Sequence, residues 1–145
     1  MGYTERKNLN RGYMKLQVWN GALDLFKLVN DIIENIDKSD LRLRSQILDA
    51  AQSISSNIAE GYCRRSINEY LQFLNIALGS SGELFTRILG LKEILKIKDT
   101  DFEVFDKLHY KTENKLLSLV KSLQSKRKEG NWDQEIQDTS GSYIT

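Results

Sequence analysis

Apolar residues recur at spacings of three and four along most of this sequence, and no proline interrupts them. Such spacing places apolar side chains on one face of an α-helix. Proline would remove a helical hydrogen bond and clash with the preceding turn, so its absence favours long helices. The pattern breaks at three places and predicts four helices, at residues 16–37, 40–62, 67–96 and 100–130.

The connections between these helices are only a few residues long. Helices joined in that way run antiparallel to their neighbours, and no segment alternates apolar and polar residues as a strand does. We therefore expect an all-α fold, an antiparallel up-down-up-down four-helix bundle. The length of 145 residues suits one domain. The expected division is a flexible leader at 1–14, the bundle at 15–130 and a polar acidic tail at 131–145.

The apolar content is 40%, but no apolar run approaches the roughly 18 to 20 residues that a membrane-spanning helix needs. We therefore expect no membrane association. The polar N-terminal residues lack the apolar core of a secretory signal, and a single cysteine cannot form an internal disulfide. These features favour a cytoplasmic protein.

Helix three contains the tetrapeptide GSSG at 79–82, which in isolation indicates a turn. The apolar residues Leu78 and Phe85 on either side stay in phase, which a hairpin would not preserve. We therefore predict a continuous helix. Each glycine costs a helix about 1 kcal/mol relative to alanine, so the small residues predict close approach of a neighbouring helix here.

The stretch SSNIAEGYCRRS at 55–66 joins helix two to helix three. The residues assigned to a structural turn are Glu60, Gly61, Ser66 and Glu69. Serine three residues before glutamate is typical of a capping box that begins helix three, and the glycine is the expected end of helix two. Glu60 can pair with Arg64 or Arg65 across the turn. Thr100 and Glu103 predict a second capping box, at the start of helix four.

Cys63 stands beside two arginines, and nearby positive charge lowers the pKa of a thiol. A cysteine nucleophile also needs a base, and the only histidine, His109, is distant in sequence. A packing role is therefore the favoured interpretation of Cys63. A zinc site would need carboxylates for its remaining ligands, which is uncommon, and no nucleotide-binding motif is present. We expect a non-enzymatic protein without a metal or cofactor.

Basic residues flank helix two and gather near the end of helix four, although the net charge is only +1. The tail at 131–145 has three acidic residues and no Lys or Arg, which leaves 21 basic and 17 acidic side chains in the rest of the chain. One interpretation is a solvated face with favourable cations at a helix C-terminus, and the other is phosphate contact. The candidate nucleic-acid-binding residues are Arg42, Arg44, Arg64, Arg65, Lys121, Lys126, Arg127 and Lys128.

The stretch LRSQILDAAQSISSNIAEGYCRRSINEYLQFLNIALGSSGEL at 43–84 resembles the signature of the 23S rRNA intervening-sequence protein family. The upstream LQVW at 16–19 resembles that family's LxVW opening. The combination of SNIAEG, RRS and LGSxxEL carries a resemblance that covers residues 13–125. The family's relatives include the accessory variability determinant of diversity-generating retroelements. The resemblance implies a bacterial four-helix bundle, without enzymatic activity, that assembles into a ring-like, barrel-shaped homopentamer.

A homo-oligomer also fits the wide apolar face of helix one. Beside the row that can serve the bundle core runs a second row, which can face a neighbouring subunit. The second row consists of Trp19, Leu23, Phe26 and Ile33.

The resemblance implies partners as well as a fold. It implies RNA binding for the intervening-sequence members and, for the retroelement relatives, an adaptor that contacts a reverse transcriptase and nucleic acid through a basic surface. Two departures from the family pattern bear on this. Ser55 replaces a common proline, which should leave helix two straighter. Leu48 and Asp49 replace a common arginine pair, which lowers the positive charge of that helix.

Two hypotheses follow. The first is a homo-oligomeric bundle that binds RNA or DNA, or a nucleoprotein, through the candidate basic residues. The alternative is a protein-interaction scaffold or adaptor, for example for a reverse transcriptase, without direct nucleic-acid binding. Near-zero net charge favours the scaffold, whereas the clustered cations favour nucleic acid.

Overall fold

The computed structural model describes residues 2–130, which form four α-helices and three short 3-10 helices and contain no strand. The α-helices are α1 (Gln17–Ile33), α2 (Leu41–Cys63), α3 (Ile67–Glu93) and α4 (Asp99–Glu129). The 3-10 helices span Tyr3–Glu5, Leu9–Lys15 and Lys38–Asp40. The prediction of an all-α fold is confirmed.

Contacts between neighbouring helices show that they run antiparallel. Lys96, just after α3, pairs with Asp40, just before α2, with 2.7 Å between Nζ and Oδ2. At the opposite end, Nη1 of Arg127 near the end of α4 donates to Oδ1 of Asn68 near the start of α3. α1 packs on α2 and α4, and α3 packs on the same two helices. The result is a bundle in which each helix lies between two antiparallel neighbours.

The apolar faces of the four α-helices meet along the axis of this bundle. Leu25 of α1, Ile58 of α2, Leu74 of α3 and Leu116 of α4 are each at most 1% exposed. Burial of one such side chain contributes roughly 1.5–3 kcal/mol. The apolar spacing in the sequence therefore supplies the main driving force for assembling the helices.

α3 passes without a break through the GSSG tetrapeptide at 79–82, as predicted. Its two serines bond to different neighbours. Oγ of Ser80 lies 2.7 Å from Oγ of Ser53 in α2, and the carbonyl oxygen of Ser81 accepts from Nε2 of His109 in α4 at 2.8 Å. A Cβ atom at either glycine would meet nothing within 4 Å. The glycines themselves therefore face no neighbouring helix, and the close interhelical contacts predicted for the small residues are made by the two serines.

Gly61 does not end α2, which continues to Cys63. The reason is packing: a Cβ atom at Gly61 would lie 2.8 Å from Cβ of Phe73 and 3.0 Å from Cδ1 of Tyr70, both in α3. Glycine is thus required for close approach of two helices rather than for chain reversal. The chain turns instead at Arg65, whose φ of 61° is left-handed.

α4 begins at Asp99, with Lys98 as an N-cap whose side chain makes no capping hydrogen bond. Thr100 therefore lies inside the first turn, and the capping box predicted for Thr100 and Glu103 is wrong. Asp99 and Asp101 instead place negative charge in the first turn, where it interacts favourably with the helix dipole.

The residues expected to form a flexible leader contain two 3-10 helices, and the second, Leu9–Lys15, packs on α1 and α2. The ring centroid of Tyr13 lies 5.2 Å from that of Trp19 and 6.1 Å from that of Tyr62. These contacts place part of the leader on the bundle. The tail expected at 131–145 lies outside the described residues.

Candidate nucleic-acid interface

Antiparallel packing gathers the ends of the four α-helices at two places. At one, α1 and α3 begin and α2 and α4 end, and we call residues 2–15, 60–69 and 121–129 the basic end. At the other, α2 and α4 begin and α1 and α3 end, and residues 31–44 and 92–106 form the acidic end. The basic end holds ten Lys or Arg residues and four Asp or Glu residues, whereas the acidic end holds six and nine. Although the net charge is only +1, the charge is therefore distributed unevenly between the two ends of the bundle.

Most of the predicted basic residues share one end of the bundle. Lys121, Lys128 and Arg127 are exposed on the last turns of α4. The guanidinium of Arg127 donates to Oδ1 of Asn68 at 3.2 Å and so lies beside the start of α3. The six candidate residues at the basic end are Arg64, Arg65, Lys121, Lys126, Arg127 and Lys128.

Arg42 and Arg44 are not part of this group, because they lie in the first turn of α2 at the acidic end. Twenty residues of helix separate Arg44 from Arg64, which is about 30 Å at 1.5 Å per residue. Charges that far apart are screened from one another, since the Debye length is about 8 Å at physiological salt. The structure therefore divides the predicted interface into two unconnected parts.

The two arginines that follow α2 rest on aromatic rings. The guanidinium of Arg64 lies 5.2 Å from the ring centroid of Phe73, and its Nη2 is 3.1 Å from Oε1 of Glu60. The guanidinium of Arg65 lies 5.5 Å from the ring centroid of Tyr62. An exposed ion pair of this spacing contributes about 0.2–0.5 kcal/mol. The ring contacts hold the positive charges in place at the turn between α2 and α3.

The start of α3 and the end of α4 lie side by side at the basic end. Oγ of Ser66 accepts from the backbone N–H of Glu69 at 3.4 Å, which is one of the two bonds of the predicted capping box. Lys126, Arg127 and Lys128 occupy the last turn of α4, where cations offset the negative end of the helix dipole. Part of the positive charge therefore also stabilises the helix end.

The leader adds four basic residues to this end that the sequence analysis did not include. Arg11 donates from Nη1 to the carbonyl oxygen of Arg6 at 3.1 Å, and the same segment carries Lys7 and Lys15. Sequence reasoning missed them because the leader was treated as separate from the bundle. Tyr13, which packs between Trp19 and Tyr62, was the available signal.

Cys63 also lies at the basic end, but it does not resemble a nucleophile. Its Sγ donates to the carbonyl oxygen of Asn10 at 3.3 Å. Burial raises the pKa of the thiol, and the nearby positive charge of Arg65 only partly opposes this effect. The neutral thiol is therefore favoured, in agreement with a packing role.

His109 is buried and belongs to a polar contact between α3 and α4. Its Nε2–H donates to the carbonyl oxygen of Ser81 at 2.8 Å, and Oγ of Ser81 donates to Oε2 of Glu113 at 3.3 Å. Within residues 2–130, no group of three or more His, Cys, Asp or Glu side chains is placed to hold a metal ion. The hydrogen bonds of His109 and Glu113 to Ser81 join α4 to α3.

A model of the family described as 23S rRNA-intervening sequence protein matches residues 14–125 of the chain. The match begins in the leader and ends in the last turns of α4. No curated protein matches the sequence. None of the helices in the described part of the chain has the length and apolarity to span a membrane.

Proposed function

We propose that this chain, which belongs to the 23S rRNA-intervening sequence protein family, is a non-enzymatic helical protein that binds RNA or DNA through its basic end. The observation that carries the proposal is the excess of ten basic over four acidic residues at that end. A nucleic acid binds more tightly to cations clustered in one patch than to the same cations spread over the surface, because salt screens charges that lie far from its phosphates.

The expected contacts are to phosphates. The basic end is built from helix termini and turns, and its exposed cations include Lys121, Arg127 and Lys128. Lysine and arginine contacts to the backbone fix the position of a nucleic acid but do not read its sequence. Binding should therefore discriminate weakly between sequences and depend strongly on salt.

Fluorescence anisotropy with labelled structured RNA and labelled duplex DNA tests this proposal. Raising salt from about 50 to about 200 mM should weaken binding steeply, with a slope of about 0.9 per phosphate neutralised on duplex DNA and about 0.7 on single strands. Absence of binding at low salt, or affinity that does not respond to salt, would refute nucleic-acid binding.

We also propose that the protein assembles into a ring-like homopentamer. Of the second apolar row on α1, Ile33 is buried, whereas Trp19, Leu23 and Phe26 are only partly buried and remain able to contact another subunit. Subunits with aligned axes would present several basic ends on one face, which raises avidity without new contacts. Light scattering should give about five times the chain mass of 16.7 kDa, and a monomer at micromolar concentration would contradict this assembly.

A protein-interaction scaffold, for example an adaptor for a reverse transcriptase, is the second candidate. It is favoured by exposed apolar side chains at the acidic end: Leu95 is 86% exposed, Leu41 65% and Ile94 59%. The φ of Leu95 is 60°, a left-handed conformation that leucine rarely adopts. Pull-down after nuclease treatment separates the two functions, because a scaffold keeps its partner and loses it on Leu95→Asp.

A further inference from the structure

A groove runs between α1 and α4 next to the basic end. Buried Leu16, Val18 and Leu119 form its apolar floor, and Lys115 and Ser118 also line it. Its volume of about 180 Å³ is below the roughly 300–1,000 Å³ of small-molecule pockets. The groove therefore suits individual side chains of a peptide rather than a cofactor.

Past Ser118, towards the end of α4, the groove opens onto a polar face of this helix alone, which we call the trough. The residues that line the trough are Ser118, Lys121, Ser122, Ser125, Lys126 and Glu129. Gly130 follows directly, with a left-handed φ of 80°, and its N–H donates to the carbonyl oxygen of Lys126 at 3.0 Å. A left-handed residue at this position ends the helix and takes the chain away from the helix axis. The polypeptide therefore leaves α4 beside the trough.

We infer that residues 131–145 of the same chain bind in this groove and trough. The segment, NWDQEIQDTSGSYIT, has three acidic side chains and no basic one, and it includes the apolar side chains of Trp132 and Ile136. The groove and trough offer an apolar floor and three lysines against one glutamate, Glu129. The occupant is therefore matched in charge and in apolar character, and it is attached where the trough begins.

The length of the segment fits the distance that it must cover. From Gly130 back to Ser118 is about 18 Å along α4, at 1.5 Å per residue. An extended chain covers that distance in about six residues, at roughly 3.3 Å each. The chain is therefore long enough for Ile136 to reach the apolar floor and for Trp132, two residues after Gly130 in sequence, to reach the trough.

An occupant from the same chain has a concentration advantage over an external peptide. A segment on a short connection has an effective concentration in the millimolar range, so even weak binding keeps it in place for much of the time. Bound there, it covers Lys121 and Lys126, two of the candidate phosphate contacts. This consequence rests on the proposed function: the acidic segment would compete with nucleic acid at the basic end.

Trp132 reports on the docking directly. Full-length protein labelled with 5-fluorotryptophan gives one fluorine resonance for Trp19 and one for Trp132, which Trp132→Phe assigns. We expect the solvent isotope shift of Trp132 to be less than about half that of an exposed ring, because docking covers one ring face. Trp19, which packs against Tyr13, reports whether each variant is folded.

Two variants should release Trp132, and one matched control should not. Neutralising the segment with Asp133→Asn, Glu135→Gln and Asp138→Asn removes the charge attraction. Lys121→Glu places a negative charge in the trough, which repels the acidic segment. Lys107→Glu changes an equally exposed lysine on α4 outside the groove. A Trp132 that is exposed in the native chain, or that responds equally to the control, overturns the inference.

Affinity for labelled RNA separates this inference from the proposed function. Neutralising the segment should tighten binding by about twofold to tenfold at low salt, as expected when a weak intramolecular competitor is removed. If neither chain binds nucleic acid while Trp132 is shielded, docking stands and the proposed function fails. If both bind equally and Trp132 is exposed, docking fails and the proposed function stands. Equal binding with Trp132 shielded overturns the competition.

Discussion

The two ends of this bundle are made from the same four helices but differ in charge and in what they expose. The basic end carries an excess of cations on helix termini and on the packed leader, and its arginines rest on aromatic rings. The acidic end carries an excess of carboxylates and exposes Leu95 and Ile94. A chain with almost no net charge thus gains two surfaces of opposite character simply because its helices alternate in direction.

Each end also contains a residue in the left-handed conformation that is not glycine. Arg65 makes the tight turn between α2 and α3, and its guanidinium covers the ring of Tyr62. Leu95 makes the turn after α3, and its side chain is 86% exposed. The guanidinium of Arg65 offsets the strain at the basic end through a side-chain contact. At the acidic end backbone hydrogen bonds offset it instead: the N–H of Leu95 donates to the carbonyl oxygen of Lys92 at 3.0 Å, and the N–H of Lys96 donates to that of Leu91 at 2.9 Å.

The largest expected difference between the ends is in affinity for nucleic acid. Substituting Lys121→Ala, Arg127→Ala and Lys128→Ala should lower affinity by about tenfold or more and reduce the salt slope by about three, since three phosphate contacts are lost. Arg42→Ala with Arg44→Ala is the control at the acidic end and should change little. Equal losses from the two sets, measured by anisotropy, would show that the polarity of the bundle does not direct binding.

Glycine substitutions should have opposite effects at the two ends. Gly61→Ala places a Cβ atom 2.8 Å from Cβ of Phe73 and should destabilise the fold by about 1–3 kcal/mol. Gly90→Ala, in α3 towards the acidic end, meets nothing within 4 Å and should stabilise by about 0.5–1 kcal/mol through helix propensity. Urea denaturation measures both. Similar effects would mean that the close packing of α2 on α3 does not limit position 61.

Relief of backbone strain should also distinguish the ends. Leu95→Gly should raise the free energy of unfolding by about 1 kcal/mol, because glycine adopts a left-handed conformation without penalty. Arg65→Gly relieves the same strain but loses the contact with the ring of Tyr62, worth about 0.5–1 kcal/mol, so its gain should be smaller. Thermal melts of the two variants make the comparison, and a larger gain at Arg65 would contradict it.

The ion pair at the basic end should matter little for stability. Glu60→Gln removes the charge that lies 3.1 Å from Arg64 and should cost about 0.2–0.5 kcal/mol, because the pair is exposed. High salt should remove the difference between variant and parent. A loss above about 1 kcal/mol would assign this pair a larger structural role than surface pairs have.

The smallest expected effect concerns the pH dependence of Cys63. Because burial raises the pKa of its thiol, alkylation should reach its half-maximal rate above pH of about 8.5, the value for a free cysteine. The folded protein disfavours the thiolate, so the pKa of Cys63 is higher in the folded than in the unfolded state. The contribution of Cys63 to the free energy of unfolding is therefore complete below the unfolded pKa and is lost as the pH rises through the folded pKa. A midpoint below that of a free cysteine would show that the cations of the basic end dominate over burial.

Much of the fold could be read from the sequence, because apolar periodicity reports directly which faces pack. The continuity of α3 through the GSSG tetrapeptide followed from the phase of Leu78 and Phe85. The two errors at helix ends have physical causes. Gly61 looked like a terminator because sequence does not show that Phe73 packs against it. Thr100 looked like a cap, although α4 had already begun at Asp99.

The candidate site was harder to predict, because charge was grouped by distance along the chain. Arg42 and Arg44 were placed with Arg64 since all three flank one helix, yet a helix of that length separates its own ends by about 30 Å. The leader cations were left out since nothing local shows that residues 9–15 pack on the bundle. Both facts depend on contacts between elements that are remote in sequence.

The paired serines in the middle of α3 have one more consequence. Ser80 is bonded to α2 and Ser81 to α4, so the same helix is anchored to both neighbours at one height. An axial slip of α3 by one helical turn, about 5.4 Å, would break both contacts and leave His109 buried without its acceptor. Apolar surfaces alone tolerate such sliding, whereas hydroxyl pairs do not. Ser80 and Ser81 thereby fix the axial register of α3 against α2 and α4, and with it which charged turns lie at the same height along the bundle.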